Sequence, residues 1–161
     1  MLESFVKLLL MLLATNGAPV LMARIFQSHG AQPLDLGRQL HDGRPIFGAS
    51  KTWRGLAAAL ITSCLLSILF DYGIWFGLVF GVLVMTGDLI SSFIKRRTGL
   101  KPSDQCMGLD QLPESFIPSV YAVWHLGAGW WWAVLLALAF MLLEILISKP
   151  LFWLNIRKRP Y

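Results

Sequence analysis

Charged residues are scarce in this sequence. Only 14% of its 161 residues are Asp, Glu, Lys or Arg, whereas soluble domains carry about 25%. Hydrophobic residues make up 56% and come in blocks such as 73–94 and 127–147, each near the roughly 20 residues that cross a bilayer. The composition therefore excludes an ordinary soluble domain and predicts an integral membrane protein.

Cysteine is scarce too, and the first segment lacks a basic start. Cys64 and Cys106 form neither a disulfide framework nor a zinc-binding spacing. Near the N-terminus Glu3 precedes Lys7, and the apolar run continues past Pro19. This pattern favours a first membrane span over a cleaved signal peptide. Without internal repeats, residues 1–161 are predicted to form a single transmembrane domain.

The apolar blocks predict an all-α protein with about five transmembrane helices. The expected spans are about 4–25, 55–70, 73–94, 112–128 and 130–148, with loops at 26–54 and 95–111. Asn16, Gly17 and Pro19 interrupt the first span, where proline kinks a helix and frees a carbonyl group. The segment 112–128 is short. If it lies in the membrane interface instead, four spans remain and the tail changes sides.

Basic residues predict the orientation in the membrane. The net charge is +5, which in a membrane protein indicates sidedness and anionic lipid or phosphate ligands rather than nucleic acid. All Lys and Arg residues except Lys7 lie in or beside the two loops or in the tail. The positive-inside rule therefore predicts cytoplasmic loops, an outside N-terminus and a cytoplasmic C-terminus in the inner (cytoplasmic) membrane.

A polar stripe runs along the third predicted span. Its members share one helical face and continue backward to Gly81 and Gly77, small residues that allow close helix packing within the chain or in a homodimer. The stripe consists of Asp88, Ser91, Ser92 and Lys95. Two explanations fit an acid here: an ion pair with Lys95 or a first-loop arginine, or a ligand for a hard divalent cation.

Both loops carry groups suited to phosphate. The second mixes acids with cations, which fits a metal–polyphosphate site or an ordinary surface loop. The first contains GASKT, but its spacing and the lack of a preceding strand exclude a Walker A motif. Amides near Gly48, the hydroxyl groups of Ser50 and Thr52, and the cations Lys51 and Arg54 can nevertheless bind phosphate.

These segments together resemble a known family. GDLISSFIKRRTGLKPSD, LDQLPES, FGASKTWRG and the Asn16-x-x-Pro19 pattern resemble CTP-dependent lipid-phosphate cytidylyltransferases. The nearest branch is the short CDP-archaeol synthase family, related to bacterial phosphatidate cytidylyltransferase. The longer relatives carry a histidine–glycine and Asp-Arg-x-Asp arrangement, whereas this chain has only Leu109-Asp110-Gln111.

The resemblance implies five spans, a catalytic centre between the two loops, Mg²⁺, and transfer of a cytidylyl group from CTP to a dialkyl or diacyl glycerol phosphate. On this hypothesis Asp88 and Asp110 bind Mg²⁺, and Lys95 and Arg96 act with them in catalysis. Nucleotide and phosphate binding is assigned to Asn16, Ser50, Lys51, Thr52, Arg54, Ser92, Lys101 and Asp104. Asn16 has an equal alternative role in repairing the kink.

Three other classes compete with this hypothesis. A glycerol-phosphate acyltransferase would be similarly small and basic, but would not need the loop carboxylates. A small anion or lipid transporter would place ionisable groups deep in several helices. A lipid-binding assembly subunit would explain the basic loops but not the embedded Asp88. The sequence leaves the lipid tails and the oligomeric state open.

Overall fold

The computed structural model describes residues 1–100, 106 and 108–153, with side chains described as far as Ser148. Five helices form: α1 (Leu2–Phe26), α2 (Trp53–Leu69), α3 (Ile74–Arg97), α4 (Gln111–His125) and α5 (Trp131–Trp153). In this part of the chain no strand forms, and β-type pairing is limited to two isolated bridges. The all-α prediction is confirmed, with helix bounds close to those expected.

Three of these helices are long and apolar enough to cross a membrane: Leu2–Phe26, Ile74–Arg97 and Trp131–Ser148. Trp53–Leu69 is a shorter apolar helix. The helix α4 has 15 residues with Pro118 inside it. The structure thus supplies a helix for every predicted span, and α2 and α4 are the short ones.

The helix α4 lies alongside α3 rather than across the end of the bundle. Near one end, the α3 residue Gly87 meets the backbone of Pro113 and Glu114. Near the other, the ring of Phe76 packs against those of Tyr121 and His125 at 5.3 and 5.0 Å. The two helices therefore run antiparallel through the same depth of the molecule, which argues against an interfacial position for α4.

Small residues hold α2 against α3. The Ser63 hydroxyl donates to the Gly77 carbonyl at 2.7 Å, and the Ser67 hydroxyl donates to the Gly73 carbonyl at 2.6 Å. A Cβ at Gly77 would lie 2.6 Å from the Ser67 Cβ, which is closer than side chains approach. The glycine face of α3 is therefore filled by α2 of the same chain, and a homodimer is not required to cover it.

The apolar core lies between α1, α3, α4 and α5, on the side of the bundle away from the loops. It comprises Leu8, Met11, Leu12, Phe76, Phe80, Val84, Ala122, Val123, Ala133, Leu136 and Phe140. At this end the Phe5 and Trp132 rings pack at 5.7 Å, so α1 and α5 start together. The N-terminus of α1 lies opposite the two loops, and α5 ends on their side.

Candidate active site

Asp88 of α3 forms an ion pair with Lys51 of the first loop. The Lys51 Nζ donates to both carboxylate oxygens of Asp88, at 2.5 and 2.6 Å. The two side chains are 21% and 18% exposed. Asp88 therefore does form an ion pair, but both expected partners were wrong: the cation is Lys51, neither Lys95 nor a first-loop arginine. The role of Asp88 as a ligand for a divalent cation stays a prediction.

A second ion pair joins the end of α3 to the start of α4. The Lys95 Nζ lies 2.5 Å from Asp110 Oδ1, with side chains 10% and 17% exposed. The other carboxylate oxygen of Asp110 accepts the Cys106 amide at 2.9 Å. Lys95, Ser91 and Ser92 are buried, so the predicted stripe does face the interior of the bundle.

A glycine brings α3 and α4 into backbone contact beside the first ion pair. A Cβ at Gly87 would lie 2.2 Å from the Pro113 carbonyl oxygen and 2.5 Å from the Glu114 Cα. Only glycine fits such an approach. Because Asp88 follows Gly87, this contact places Asp88 and Glu114 at the same level of the bundle.

Two further acids join the cluster from α4 and α5. Glu114 is buried and interacts electrostatically with Asp88, Glu144, Lys51 and Asp110. Lys51 in turn interacts with Asp88, Glu114 and Asp110. The ion-pair cluster is therefore one group of charges drawn from the first loop, α3, α4 and α5: Lys51, Asp88, Lys95, Asp110, Glu114 and Glu144.

The charge on Lys51 is strongly favoured. Burial acts to lower the pKa of Lys51, but the Asp88 carboxylate outweighs burial, and the net effect raises the pKa above its usual 10.5. Lys51 therefore stays protonated at neutral pH. A half-buried ammonium group with three donors, lying among carboxylates, is suited to exchange one anionic partner for another.

The acids provide hard oxygen donors of the kind that Mg²⁺ prefers. Four carboxyl groups lie with two lysines in this cluster, so the oxygen donors outnumber the ammonium groups that can pair with them. No three acids, histidines or cysteines of the described residues are arranged to hold a metal on their own. The donor set fits Mg²⁺ in the way that protein carboxylates plus substrate phosphates do.

The first loop is organised by a carboxylate that the sequence pattern did not single out. Asp35 is buried and accepts the amides of Gly37, Phe47 and Gly48 at 3.0, 2.9 and 2.8 Å. Burial acts to raise the pKa of Asp35, but these three hydrogen bonds outweigh it and lower the pKa. The Gly48 amide, predicted to bind phosphate, is therefore engaged by Asp35 instead.

Several predicted phosphate ligands have structural partners. The Arg54 guanidinium donates to the carbonyls of His29 and of Gln27, the latter at 3.2 Å, which ties the start of α2 to the segment that follows α1. The Thr52 hydroxyl caps α2 by accepting the Gly55 amide at 3.1 Å. Thr52 can still donate its proton, whereas Arg54 is committed to the loop.

The remaining candidates divide by position. Ser50 is exposed, and Ser92 and Arg96 are buried. The Asn16 side-chain amide donates to the Leu12 carbonyl at 3.2 Å, a local bond within α1, which favours a structural role. Lys101 and Asp104 lie outside the described residues.

Glu144 and Asp35 were missed from the sequence. Glu144 is an acid near the loop end of an otherwise apolar helix, as Asp88 is, so the same argument about embedded charge identifies it. Nothing in the pattern distinguishes Asp35 from other loop acids, because its role depends on amides 12 and 13 residues further along the chain.

Fold and site together define a helical membrane protein with a charged site at one end of its bundle. A family model for CarS-like CDP-archaeol synthase matches residues 1–74. A CDP-archaeol synthase of Pyrobaculum aerophilum is 34% identical over 116 residues, which cover 69% of this chain and 68% of that protein. The chain belongs to the CDP-archaeol synthase family.

Other relatives agree with this assignment. The CDP-archaeol synthases of Pyrococcus furiosus and Hyperthermus butylicus are 39% and 38% identical over 108 and 106 residues. Each match spans 60% of the relative's length and 60% or 62% of this chain. A solved intramembrane enzyme for archaeal membrane lipid biosynthesis shares the fold, with a TM-score of 0.74 and 26% identity over 89% of this chain and 91% of that chain.

Proposed function

We propose that the protein transfers a cytidylyl group from CTP to a glycerol-lipid phosphate, giving a CDP-lipid and pyrophosphate. The observation that carries this proposal is the ion-pair cluster, in which Lys51 and Lys95 are held by aspartates at the loop end of a membrane bundle. The relatives named as CDP-archaeol synthases support the nucleotide and the lipid class.

In the reaction, an oxygen of the lipid phosphate forms a bond to the α-phosphorus of CTP. The bond from that phosphorus to the oxygen bridging it to the β-phosphorus breaks, and pyrophosphate leaves with the electron pair. A phosphate monoester with a second pKa near 6 is already mostly dianionic at pH 7, so no general base is needed. The protein must bring two anions together, which is a task of charge neutralisation and positioning.

Lys51 and Lys95 are suited to this task because each is largely shielded from solvent and already paired with a carboxylate. An entering polyphosphate offers both lysines an alternative anionic partner, and their release would leave Asp88 and Asp110 with oxygens for Mg²⁺. When bound, Mg²⁺ would neutralise phosphate charge that the lysines do not reach. Glu114 and Glu144 add two further carboxyl groups beside those of Asp88 and Asp110.

The direct test is an assay with purified full-length protein, labelled CTP, Mg²⁺ and a panel of lipid phosphates with ether-linked isoprenoid or ester-linked acyl chains. We expect a CDP-lipid and pyrophosphate in equal amounts, no product with ATP in place of CTP, and loss of product with EDTA. Failure with every lipid phosphate would reject the function. Full activity in EDTA would reject the Mg²⁺ requirement but not the proposed cytidylyl transfer.

We propose in addition that the loop end faces the cytoplasm, where CTP is found, because the basic residues gather there. The aromatic end would then face outside. A cysteine at the exposed Trp130 should react with an impermeant thiol reagent added to intact cells, while a cysteine at the exposed His41 should react only after lysis. The reverse pattern would invert the orientation.

A further inference from the structure

The first loop is attached to α3 at two separate places. One is the Lys51–Asp88 ion pair inside the site. The other lies at the C-terminal end of α3, where Arg97 binds the loop nine residues further along the helix, about 13 Å away at 1.5 Å per residue. We propose that this second attachment is a positioning device, with Arg97 as its central residue.

The second attachment is built by reciprocal contacts. The Arg97 guanidinium donates to both oxygens of Asp42 at 2.7 and 2.8 Å, and to the carbonyls of Arg44 and Pro45. In return, the Arg44 guanidinium donates to the carbonyls of Arg97 and Arg96 at 2.6 and 3.3 Å. We call Asp42, Arg44 and Arg97 the clasp.

The clasp uses the end of α3 in a way that fits its electrostatics. The last carbonyls of a helix have no partner within it and carry a partial negative charge. The positively charged Arg44 guanidinium donates to those carbonyls. The Arg97 guanidinium donates in the other direction, to the first loop. Arg97 uses both terminal nitrogens: Nη1 donates to the two oxygens of Asp42, and Nη2 donates to the carbonyls of Arg44 and Pro45. Because the guanidinium is planar and rigid, contacts from two of its nitrogens set an orientation as well as a distance.

The clasp is continuous with the site through the loop backbone. Residues 38–46 are closed on themselves by two backbone bonds, from the Leu40 amide to the Arg44 carbonyl at 3.0 Å and from the Ile46 amide to the Arg38 carbonyl at 3.3 Å. Asp35 then joins Gly37 to Gly48, three residues before Lys51. The loop is thus a folded unit between Arg97 at one point of α3 and Asp88 at another.

This arrangement matters because the proposed reaction, on which this inference rests, requires Lys51 to leave Asp88 for a phosphate. At that moment one of the two attachments to α3 is lost. The clasp keeps the loop docked, so that Lys51 moves by a side-chain rotation while its backbone stays in place. Arg97 therefore acts on CTP through the loop and touches no reacting atom.

The test is hydrogen exchange of residues 35–52 in the purified full-length protein, measured on a set of variants beside the wild type. Arg97→Ala should speed exchange in this segment about tenfold and leave α3 and α4 unchanged. Arg97→Lys should recover part of the protection, because lysine keeps one charged contact to Asp42. The control Arg38→Ala removes an exposed arginine of the same loop and should match the wild type.

Asp88→Asn isolates the clasp from the other attachment. It should leave the loop amides protected, whereas Asp88→Asn combined with Arg97→Ala should expose them fully. If Arg97→Ala fails to fold, Asp42→Asn removes the same ion pair from the exposed side. The proposal would be overturned if the loop exchanged at the wild-type rate in the Arg97 and Asp42 variants. It would also be overturned if exchange in α3 rose as much as exchange in the loop.

Kinetics give the second readout. Arg97→Ala should raise the KM for CTP about fivefold while kcat stays within twofold, and Arg97→Lys should fall between. An unchanged KM with a loosened loop would show that the clasp does not position Lys51. If wild-type protein makes no CDP-lipid, the proposed function fails, while the exchange experiment still decides whether the clasp holds the loop.

Discussion

The two ends of the helix bundle are stabilised by different interactions. At the loop end, ion pairs join Lys51 to Asp88 and Lys95 to Asp110. At the opposite end, the rings of Phe76, Tyr121 and His125 pack on one another. The helix α3 takes part in both, with aromatic residues in its first half and the polar stripe in its second. One helix can therefore be anchored by packing at one end and carry exchangeable charges at the other.

The largest expected effect comes from removing one charge at the loop end. Asp88→Asn keeps the shape of the side chain, and the aromatic end remains to hold the fold, so the protein should insert and fold normally. On the proposed function, cytidylyl transfer should fall by more than tenfold, because the cluster loses both the proposed Mg²⁺ ligand and the partner of Lys51. The measurement is CDP-lipid formation per folded molecule. A variant that retained a tenth or more of wild-type turnover would remove Asp88 from the metal.

The second prediction concerns the contact between the helices at the loop end. Gly87→Ala forces α3 away from Pro113 and Glu114, since the added methyl has no space. We expect a loss of about 1–3 kcal/mol of stability together with lower activity, measured by thermal unfolding in detergent and by the transfer assay.

Gly17 provides the control for that change, because it lies in α1 where an added Cβ would meet no neighbouring atom within 4 Å. Gly17→Ala should leave activity unchanged and stabilise the helix slightly. Equal behaviour of the two alanine variants would mean that the α3–α4 approach does not set the geometry of the site.

The third prediction compares acids at the two ends. Glu144 belongs to the ion-pair cluster, whereas Glu3 pairs with Lys7 on the exposed start of α1. Glu144→Gln should lower turnover several-fold and raise the Mg²⁺ concentration needed for half-maximal rate. Glu3→Gln, the same chemical change at the other end, should affect neither. A Mg²⁺ dependence that does not move in Glu144→Gln would place that acid outside the cation site.

The smallest effect is expected from pH. Three amides lower the pKa of Asp35 below its unfolded value, so its contribution to stability is complete above the unfolded pKa of about 3.8 and is lost as pH falls through the folded pKa. The first loop should therefore stay protected from hydrogen exchange at pH 5. In the Asp35→Asn variant, by contrast, the first loop should exchange faster than in the wild type even at neutral pH. Loosening of the wild-type loop between pH 6 and 5 would contradict this.

Much of the helical architecture could be predicted. The expected spans 55–70 and 73–94 leave a short turn, and α2 and α3 are joined by one; the spans 112–128 and 130–148 likewise correspond to the closely connected helices α4 and α5. Hydrophobic blocks suffice for this because lipid forces each spanning segment to satisfy its own backbone hydrogen bonds as a helix. The apolar span was expected to end at 94, but the polar stripe already required the helix to continue through Lys95, and α3 does continue to Arg97.

The site was predicted in its residue types and only partly in its contacts. The predicted residues do lie in one cluster: Lys51, Asp88, Lys95 and Asp110. The sequence suggested Lys95 as a partner for Asp88, whereas the structure pairs Lys95 with Asp110. The spacing of Asp88 and Lys95 on one helix puts them on one face without saying which loop reaches them. Which cation pairs with Asp88 depends on how the first loop folds. Asp35 shapes that fold by accepting the amide of Gly48, 13 residues further along the chain.

Membrane insertion, the helix count and the polar face of α3 follow from the sequence, because each depends on residue type and periodicity within one segment. The pairing of lysines with aspartates, the addition of Glu114 and Glu144, and the attachment of Arg97 to the first loop were decided only by the tertiary structure. Each of these joins groups from different helices and loops, and the energy of a charge in a bundle depends on which opposite charge the fold brings beside it.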